Sequence, residues 1–258
     1  MRFSRSVPLC RLAAILLTGL ATSIAFLAPR SAVAADNTAT TPAPRDPNWV
    51  KRHEGFVEIA KKGDVDVLFL GDSITDGWRG KGGAEVWQKH FEPLKAANFG
   101  IGGDRTQHVL WRITNGELEG IKPKVAVLMI GTNNSNGNDN TAAEIAEGVT
   151  AIIKALHAKH PHTKVLLLAI FPRADKRDAA AEKTPADGIR TKNIEANKII
   201  SKLDDGKMVK YLDIGGKFLD ADGALPKEIM PDFLHLSPKG YQIWADAITP
   251  LLTEMLGK

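Results

Sequence analysis

The sequence predicts an α/β fold in which helices cover both faces of a parallel sheet. The main observation is a set of three short apolar runs, each followed by a glycine or a Phe-Pro pair, at residues 65–70, 125–130 and 165–170. The runs are rich in branched residues and do not alternate with polar ones, as is typical of strands buried on both faces. Amphipathic segments separate the runs, and such strand–helix alternation indicates a parallel sheet.

Two shorter apolar runs, at residues 97–99 and 209–214, complete the predicted strands. The predicted helices place apolar residues three or four positions apart, on one helix face. They span residues 49–62, 106–113, 141–159, 189–203 and 242–256. We therefore predict a single domain over residues 47–258. Residues 35–46, rich in Thr, Ala and Pro and without an apolar period, predict a flexible linker before it.

The first 34 residues have the three-part layout of a secretory signal peptide. Three arginines form a basic start, residues 12–27 are an almost continuous apolar run, and small residues at 32–34 precede a polar stretch. The apolar run has about 16 residues, fewer than the roughly 20 that span a bilayer, so we favour cleavage after Ala34 over a membrane anchor. The mature chain is then exported, to the periplasm or the medium, without a membrane span.

Removal of the signal peptide changes the charge of the chain. Residues 1–34 carry four arginines and no acidic residue, so Lys and Arg fall from 34 to 30, which equals the 30 Asp and Glu. A formally neutral mature chain gives no reason to expect nucleic acid as a partner. The only cysteine, Cys10, leaves with the signal peptide, which excludes disulfides and Cys-type metal sites in the mature chain.

Polar or glycine-rich segments follow three of the predicted strands. They are Gly71-Asp72-Ser73, GIGGD at residues 100–104 and GTNN at residues 131–134. In an open parallel sheet such segments meet at the carboxyl edge, where ligands bind. A serine nucleophile, glycine N–H groups and an amide donor are the groups that acyl transfer needs. The pattern predicts a serine esterase with Ser73 as nucleophile, although the glycine loop alone is equally consistent with a tight turn.

His235 is the candidate general base among the seven histidines. It precedes the last predicted helix, for which Ser237 is a good N-cap and Pro238 a good first residue. Asp232, three residues earlier, is placed to orient the imidazole as in a Ser-His-Asp triad; alternatively, the pair only caps the turn. The other histidines lie in predicted helices or near a helix end, and a metal site built from three of them lacks an acidic partner: His157, His160 and His162.

Several other site types are excluded by missing motifs. The sequence contains no G-x-S-x-G nucleophile elbow, no phosphate-binding G-x-x-x-x-G-K-[ST] and no H-E-x-x-H. The glycine loop at residues 100–105 lacks the third glycine of a dinucleotide fingerprint.

Four sequence blocks resemble the SGNH, or GDSL-type, esterase/lipase superfamily. They read VLFLGDSITDGW, NFGIGGDRTQHVLWRITNGEL, VLMIGTNN and DFLHLSPKGYQIW, with Ile74 where the family name has leucine. The second block is most similar to the catalytic subunits of intracellular platelet-activating-factor acetylhydrolase. The similarity extends from about Val65 to about Leu252, nearly the whole predicted domain.

The resemblance implies a three-layer α/β/α sandwich with a five-stranded parallel sheet, doubly wound and flavodoxin-like. It also implies the roles of five residues. Ser73 would attack the ester and would donate its N–H to the oxyanion. The Gly103 N–H and the Asn133 side chain would complete the oxyanion hole. His235 would be the base, and Asp232 would be the acid that orients it. No metal or organic cofactor is implied.

The resemblance also suggests the substrate. Bulky residues beside the serine and histidine keep the acyl pocket short in the acetylhydrolase subunits, and here those positions hold Ile74 and Leu234. Export favours an acetylated carbohydrate as the ester, with three alternatives: an acyltransferase acting on glycans, a short-acyl phospholipid acetylhydrolase and a non-catalytic glycan-binding domain. Three tryptophans are candidates for stacking on sugar rings or for the core: Trp78, Trp87 and Trp111. The sequence does not indicate an oligomeric state.

Overall fold

The computed structural model describes Met1, residues 37–174 and residues 188–258. The predicted signal peptide and its cleavage site lie outside the described residues. Within the described part of the chain, no helix is both long enough and apolar enough to cross a membrane.

Five parallel strands form one sheet, in the order β2-β1-β3-β4-β5. Each is only four or five residues long, and all except the edge strand Val209–Leu212 are mostly buried, as the uninterrupted apolar runs predicted. The strands are β1 (Val67–Gly71), β2 (Ala96–Gly100), β3 (Val125–Met129), β4 (Lys164–Leu168) and β5 (Val209–Leu212). This order is the doubly wound arrangement of flavodoxin-like folds, with a reversal of winding next to β1.

Seven α-helices in the described residues surround the sheet. Two of them, α2 and α3, are too short for the periodicity on which the sequence prediction relied. The helices are α1 (Pro47–Lys61), α2 (Ser73–Asp76), α3 (Ala84–His90), α4 (Thr106–Thr114), α5 (Ala142–Lys159), α6 (Ile189–Ile200) and α7 (Pro238–Leu256). Short 3₁₀ turns lie at Thr38–Thr40, Gly77–Arg79, Glu92–Leu94, Ser201–Leu203 and Gly215–Phe218.

Local signals in the sequence account for where the long helices begin. The Asp46 side chain accepts from the Asn48 and Trp49 N–H groups at the start of α1, and proline is the first helical residue. At the start of α5, Thr141 and Glu144 form a reciprocal capping box. Ser237 accepts from the Gly240 N–H at the start of α7, as predicted.

The core consists of one apolar cluster on each face of the sheet. Successive β1 side chains alternate between them: Leu68 and Leu70 join the cluster under α1, α4, α5 and α6, whereas Val67 and Phe69 join the one under α2, α3 and α7. Each fully buried side chain of this kind contributes roughly 1.5–3 kcal/mol of transfer free energy. The three central strands are therefore covered on both faces, and the carboxyl edge of the sheet is where polar segments can meet.

The predicted flexible linker is wrong for residues 37–46, which we call the N-terminal segment. Ala39 is fully buried, and its carbonyl accepts a 2.8 Å hydrogen bond from Thr106 Oγ1. The Asn37 side chain donates to Glu147 on α5. A Cβ on Gly148 would lie 2.7 Å from the Ala39 carbonyl, so glycine at position 148 permits the close approach. Small residues that suggest a linker are here the ones that fit between α4 and α5.

Candidate active site

The register of the sheet brings the three predicted segments to one edge. Gly71 at the end of β1 pairs with Gly100 of β2 on one side and Met129 of β3 on the other. The residues that follow these three positions therefore leave the sheet at the same level. They are Ser73, the glycine loop 101–104 and the turn 131–134.

Ser73 is half-buried and is the first residue of α2. The Asp72 side chain caps this helix by accepting from the Ile74 N–H at 2.9 Å. A Cβ on Gly71 would lie 2.1 Å from Thr75 Oγ1 and 2.5 Å from the Met129 carbonyl, so only glycine lets the helix start directly off the strand. The Ser73 N–H is thereby left at a helix N-terminus, where N–H groups have no intrahelical partner and favour negative charge.

The predicted Ser73, His235 and Asp232 form a continuous hydrogen-bond chain. Ser73 Oγ lies 2.9 Å from His235 Nε2, and His235 Nδ1 lies 2.7 Å from Asp232 Oδ2. The second oxygen of Asp232 accepts from the His235 and Leu234 backbone N–H groups, at 2.7 and 3.1 Å. Asp232 therefore both holds the turn and faces the imidazole, so the two alternative readings of the D-x-x-H sequence are compatible.

The electrostatics around Asp232 favour the ionised form. Burial opposes ionisation, but the His235 N–H, the His235 ring and the Leu234 N–H together hold the pKa of Asp232 below its usual value. The imidazole side chain keeps 42 % of its surface exposed, so a substrate can reach it. Between the two residues, Phe233 adopts a left-handed φ of 60° and buries its ring in the core, which fixes the turn.

The two other predicted oxyanion donors lie in the neighbouring segments. Gly103 has a left-handed φ of 78°, and its N–H has no hydrogen-bond partner within the described residues. The half-buried Asn133 side chain donates one N–H to the Asp104 carbonyl at 2.9 Å, which leaves its second N–H for a ligand. Gly131 precedes it at a φ of 129°, where a Cβ would lie 2.6 Å from Ile170.

A buried ionic network behind the glycine loop was not predicted from the sequence. The fully buried Asp104 carboxylate accepts from Trp49 Nε1 at 2.6 Å and from Arg112 Nε at 2.9 Å. Arg112 also pairs with Glu117, which lies 3.0 Å from His53. Since paired buried charges are costly to separate, this network fixes the loop against α1 and α4. No local sequence signal predicts it, because Asp104 and Glu117 lie outside α4, one before and one after it.

Asp72 is a buried carboxyl next to Ser73. Burial raises its pKa to about 7; the Ile74 N–H opposes the shift, the Asp104 charge adds to it and Arg173 opposes it. Its second oxygen has no hydrogen-bond partner among the residues that the structure describes. The neutral form is therefore substantially populated at neutral pH, which removes a negative charge from behind Ser73.

The two residues predicted to limit the length of the acyl group differ in their burial. Leu234 is half-buried beside His235. Ile74 is only 1 % exposed and packs in the core beneath α2, so the prediction that its side chain borders the acyl group is wrong.

The tryptophans and histidines that were the other candidates from the sequence pack against the fold. Trp78 is 1 % exposed and belongs to the core, whereas Trp87 and Trp111 are half-buried. The His157 and His160 rings contact the Thr163 and Leu118 carbonyls. In the part of the chain that the structure describes, no cluster of three His, Cys, Asp or Glu side chains could hold a metal ion.

Family comparison agrees with this geometry. The sequence model of the GDSL-like lipase/acylhydrolase family matches residues 69–243. The chain belongs to this family. It is therefore an enzyme that hydrolyses esters. Platelet-activating factor acetylhydrolase IB subunit alpha2 of Homo sapiens is 40 % identical over 212 residues, which are 82 % of this chain and 86 % of that protein.

Solved structures of other proteins share the fold. A GDSL-like lipase from Bacteroides thetaiotaomicron superposes with a TM-score of 0.59 at 19 % identity, over 80 % of this chain and 96 % of that one. A carbohydrate acetylesterase from Sinorhizobium meliloti superposes with a TM-score of 0.58 at 19 % identity, over 74 % and 99 %. Both likenesses confirm the predicted sandwich with a five-stranded parallel sheet.

Replacing Asp72 by asparagine should change how the stability of the esterase depends on pH. The pKa of Asp72 is about 7 in the fold and 3.8 without burial, so the unfolded chain ionises first and stability falls as the pH rises from 4 to 7. We expect the free energy of unfolding of Asp72→Asn, relative to the unsubstituted protein, to rise by about 2–4 kcal/mol over this interval in urea titrations.

Asp205→Asn is a control of opposite sign. The pKa of Asp205 is lowered, chiefly by the Val209 and Lys207 N–H groups, so its stabilising contribution is present at neutral pH and is lost as the pH falls. A pH-independent difference between Asp72→Asn and the unsubstituted protein would contradict the assignment.

Proposed function

We propose that this esterase is exported and hydrolyses acetyl and other short-chain acyl esters, with Ser73 as nucleophile, His235 as base and Asp232 as the group that orients His235. One observation carries the proposal, namely the hydrogen-bond chain from Ser73 Oγ to His235 Nε2, at 2.9 Å, and from His235 Nδ1 to Asp232, at 2.7 Å. A hydroxyl in contact with an oriented imidazole is how proteins activate a weak oxygen nucleophile.

In acylation, Ser73 Oγ attacks the ester carbonyl while His235 Nε2 accepts the hydroxyl proton. The resulting imidazolium is stabilised by the Asp232 carboxylate. The carbonyl oxygen becomes an oxyanion that accepts from the Ser73 N–H, the Gly103 N–H and the Asn133 amide. His235 then gives its proton to the departing alkoxide, and the alcohol leaves while the acyl group remains on Ser73.

Deacylation uses the same groups with water as the nucleophile. His235 Nε2 removes a proton from water, and the resulting hydroxide attacks the acyl-serine carbonyl. The same three donors stabilise the second oxyanion, and His235 returns the proton to Ser73 Oγ as the carboxylic acid leaves. The 42 % exposure of the histidine side chain is consistent with direct access of water.

Two observations support a short acyl group. The half-buried Leu234 directly precedes His235, at the position where the family resemblance expects a bulky residue that shortens the acyl pocket. The human relative that is 40 % identical over 212 residues is an acetylhydrolase. Acetyl esters should therefore be cleaved better than long-chain esters.

For the alcohol portion we propose an acetylated carbohydrate outside the cytoplasm. The signal-peptide pattern of residues 1–34 supports export, and one protein of the same fold is a carbohydrate acetylesterase. A short-acyl phospholipid is the second candidate, since the 40 % identical relative is named a platelet-activating factor acetylhydrolase.

The test is hydrolysis by the purified mature protein of acetylated xylo-oligosaccharides, p-nitrophenyl acetate and a short-acyl phospholipid. Ser73→Ala should lower kcat by about 10³-fold or more on every substrate that is cleaved, with an unchanged Tm, because only the nucleophile is removed. Ser201→Ala, at the end of α6, is the matched control and should retain full activity. Cleavage of none of these esters, or an active Ser73→Ala, would refute the proposed function.

The acyl preference has a separate test. We expect kcat/KM to fall from p-nitrophenyl acetate to butyrate to octanoate, and Leu234→Ala to raise the octanoate-to-acetate ratio severalfold by vacating space beside His235. Leu251→Ala removes another half-buried leucine that packs against the same core and should leave the ratio unchanged. Activity that is equal for all three esters, or that rises with chain length, would sink the short-acyl assignment.

A further inference from the structure

The N-terminal segment ends beside the glycine of the oxyanion hole. Arg45, its penultimate residue, donates from Nη1 to the Gly102 carbonyl at 2.7 Å and to Asp104 Oδ1 at 3.2 Å. A Cβ built on Gly103 would lie 3.2 Å from both Nη1 and Nη2 of Arg45. The guanidinium therefore lies against the loop from a segment that is distant from it in the sequence.

We infer that Arg45 is a positioning residue of the active site, which holds the peptide between Gly102 and Gly103 so that the Gly103 N–H faces the oxyanion. The inference rests on the proposed esterase function. It makes the N-terminal segment a working part of the active site.

The argument begins with the planarity of the peptide bond. The Gly102 carbonyl and the Gly103 N–H are opposite ends of one rigid, trans peptide unit. A hydrogen bond that fixes the direction of the carbonyl therefore fixes the direction of the N–H. Because neither flanking residue has a side chain, this unit can rotate more easily than others. Within the described residues, Arg45 is the only group that hydrogen-bonds the Gly102 carbonyl.

The neighbouring contacts show that the loop is held on both sides of this peptide. Gly102 N–H donates to Asp76 Oδ2 at 3.3 Å, and the Asp104 carboxylate is anchored by the buried Arg112. These contacts restrain the ends of the loop but leave the 102–103 peptide unit to Arg45. A donor that is misdirected in the ground state cannot stabilise charge that develops only in the transition state.

The positive charge of Arg45 also favours stabilisation of an oxyanion. Burial, and then the charges of Arg45, Arg105 and Arg112, lower the pKa of the nearby His108 to about 4. The neutral ring accepts a 3.0 Å hydrogen bond from the Arg105 N–H at Nδ1. Arg45 therefore adds positive charge beside the glycine loop, which its ion pair with Asp104 partly offsets.

The test compares Arg45→Ala, Arg45→Lys and the unsubstituted protein on p-nitrophenyl acetate. Loss of a whole oxyanion donor costs about 10²–10³ in kcat, so a donor left in place but poorly directed should cost about 10-fold. We expect Arg45→Ala to lower kcat about 10-fold with KM within twofold. Arg45→Lys should recover most of the loss, because an ammonium can reach the same carbonyl.

The binding of a transition-state analogue is a second measurement of the same effect. Binding of a methylphosphonate or boronic acid should weaken in Arg45→Ala by the same factor as kcat, while KM for the ester stays constant. The Tm should remain within about 2 °C, since the buried Asp104 carboxylate keeps its hydrogen bonds from Trp49 and Arg112.

Arg105→Ala is the matched control. Arg105 has a similar exposure of 33 %, pairs with Asp139 and neighbours the same loop, so its removal changes the charge equally without touching the 102–103 peptide. An equal loss of kcat in Arg105→Ala, or a kcat for Arg45→Ala within twofold of the unsubstituted protein, would overturn the inference. If instead the unsubstituted protein cleaves no ester, the result contradicts the proposed function itself, not only the role of Arg45.

Discussion

The alignment of β1 between β2 and β3 is the constraint on which the active site depends. Gly71 is level with Gly100 and Met129, so the segments that carry the serine, the glycine loop and the asparagine leave the sheet together. A shift of one residue would move Ser73 by about 3.3 Å relative to the glycine loop and the asparagine turn, and would reverse the two faces of β1. The two apolar clusters hold this register, and so the core determines the geometry of the site.

The other half of the site is held by polar contacts. Asp232 serves both the turn and the imidazole, which joins α7 to the serine, while the buried Asp104–Arg112 pair joins the glycine loop to α4. Such contacts contribute little net stability, because desolvation offsets the attraction, but they impose geometry. The fold thus combines an apolar sheet with a small set of charged groups that position His235 and the glycine loop.

Local sequence signals predicted much of this arrangement. Buried parallel strands have an uninterrupted apolar pattern. Ser73 and Asn133 follow strands, and His235 precedes a helix N-cap; each of these elements can be recognised from a few residues. Contacts between distant segments have no such signal. Arg45 and Gly102 are 57 positions apart, so the sequence suggested a linker instead of a structural element. The prediction for Ile74 was wrong for a local reason, because the sequence around Gly71 does not show towards which side the Ile74 side chain points.

Active-site labelling tests most directly whether Ser73 is activated by His235. A serine-directed fluorophosphonate, followed by intact-mass measurement and peptide mapping, should give one adduct per chain, on Ser73. The same labelling in His235→Gln should be at least about 10²-fold slower, because the hydroxyl then lacks its base. An adduct on a different serine, or labelling of His235→Gln at the rate of the unsubstituted protein, would contradict the account.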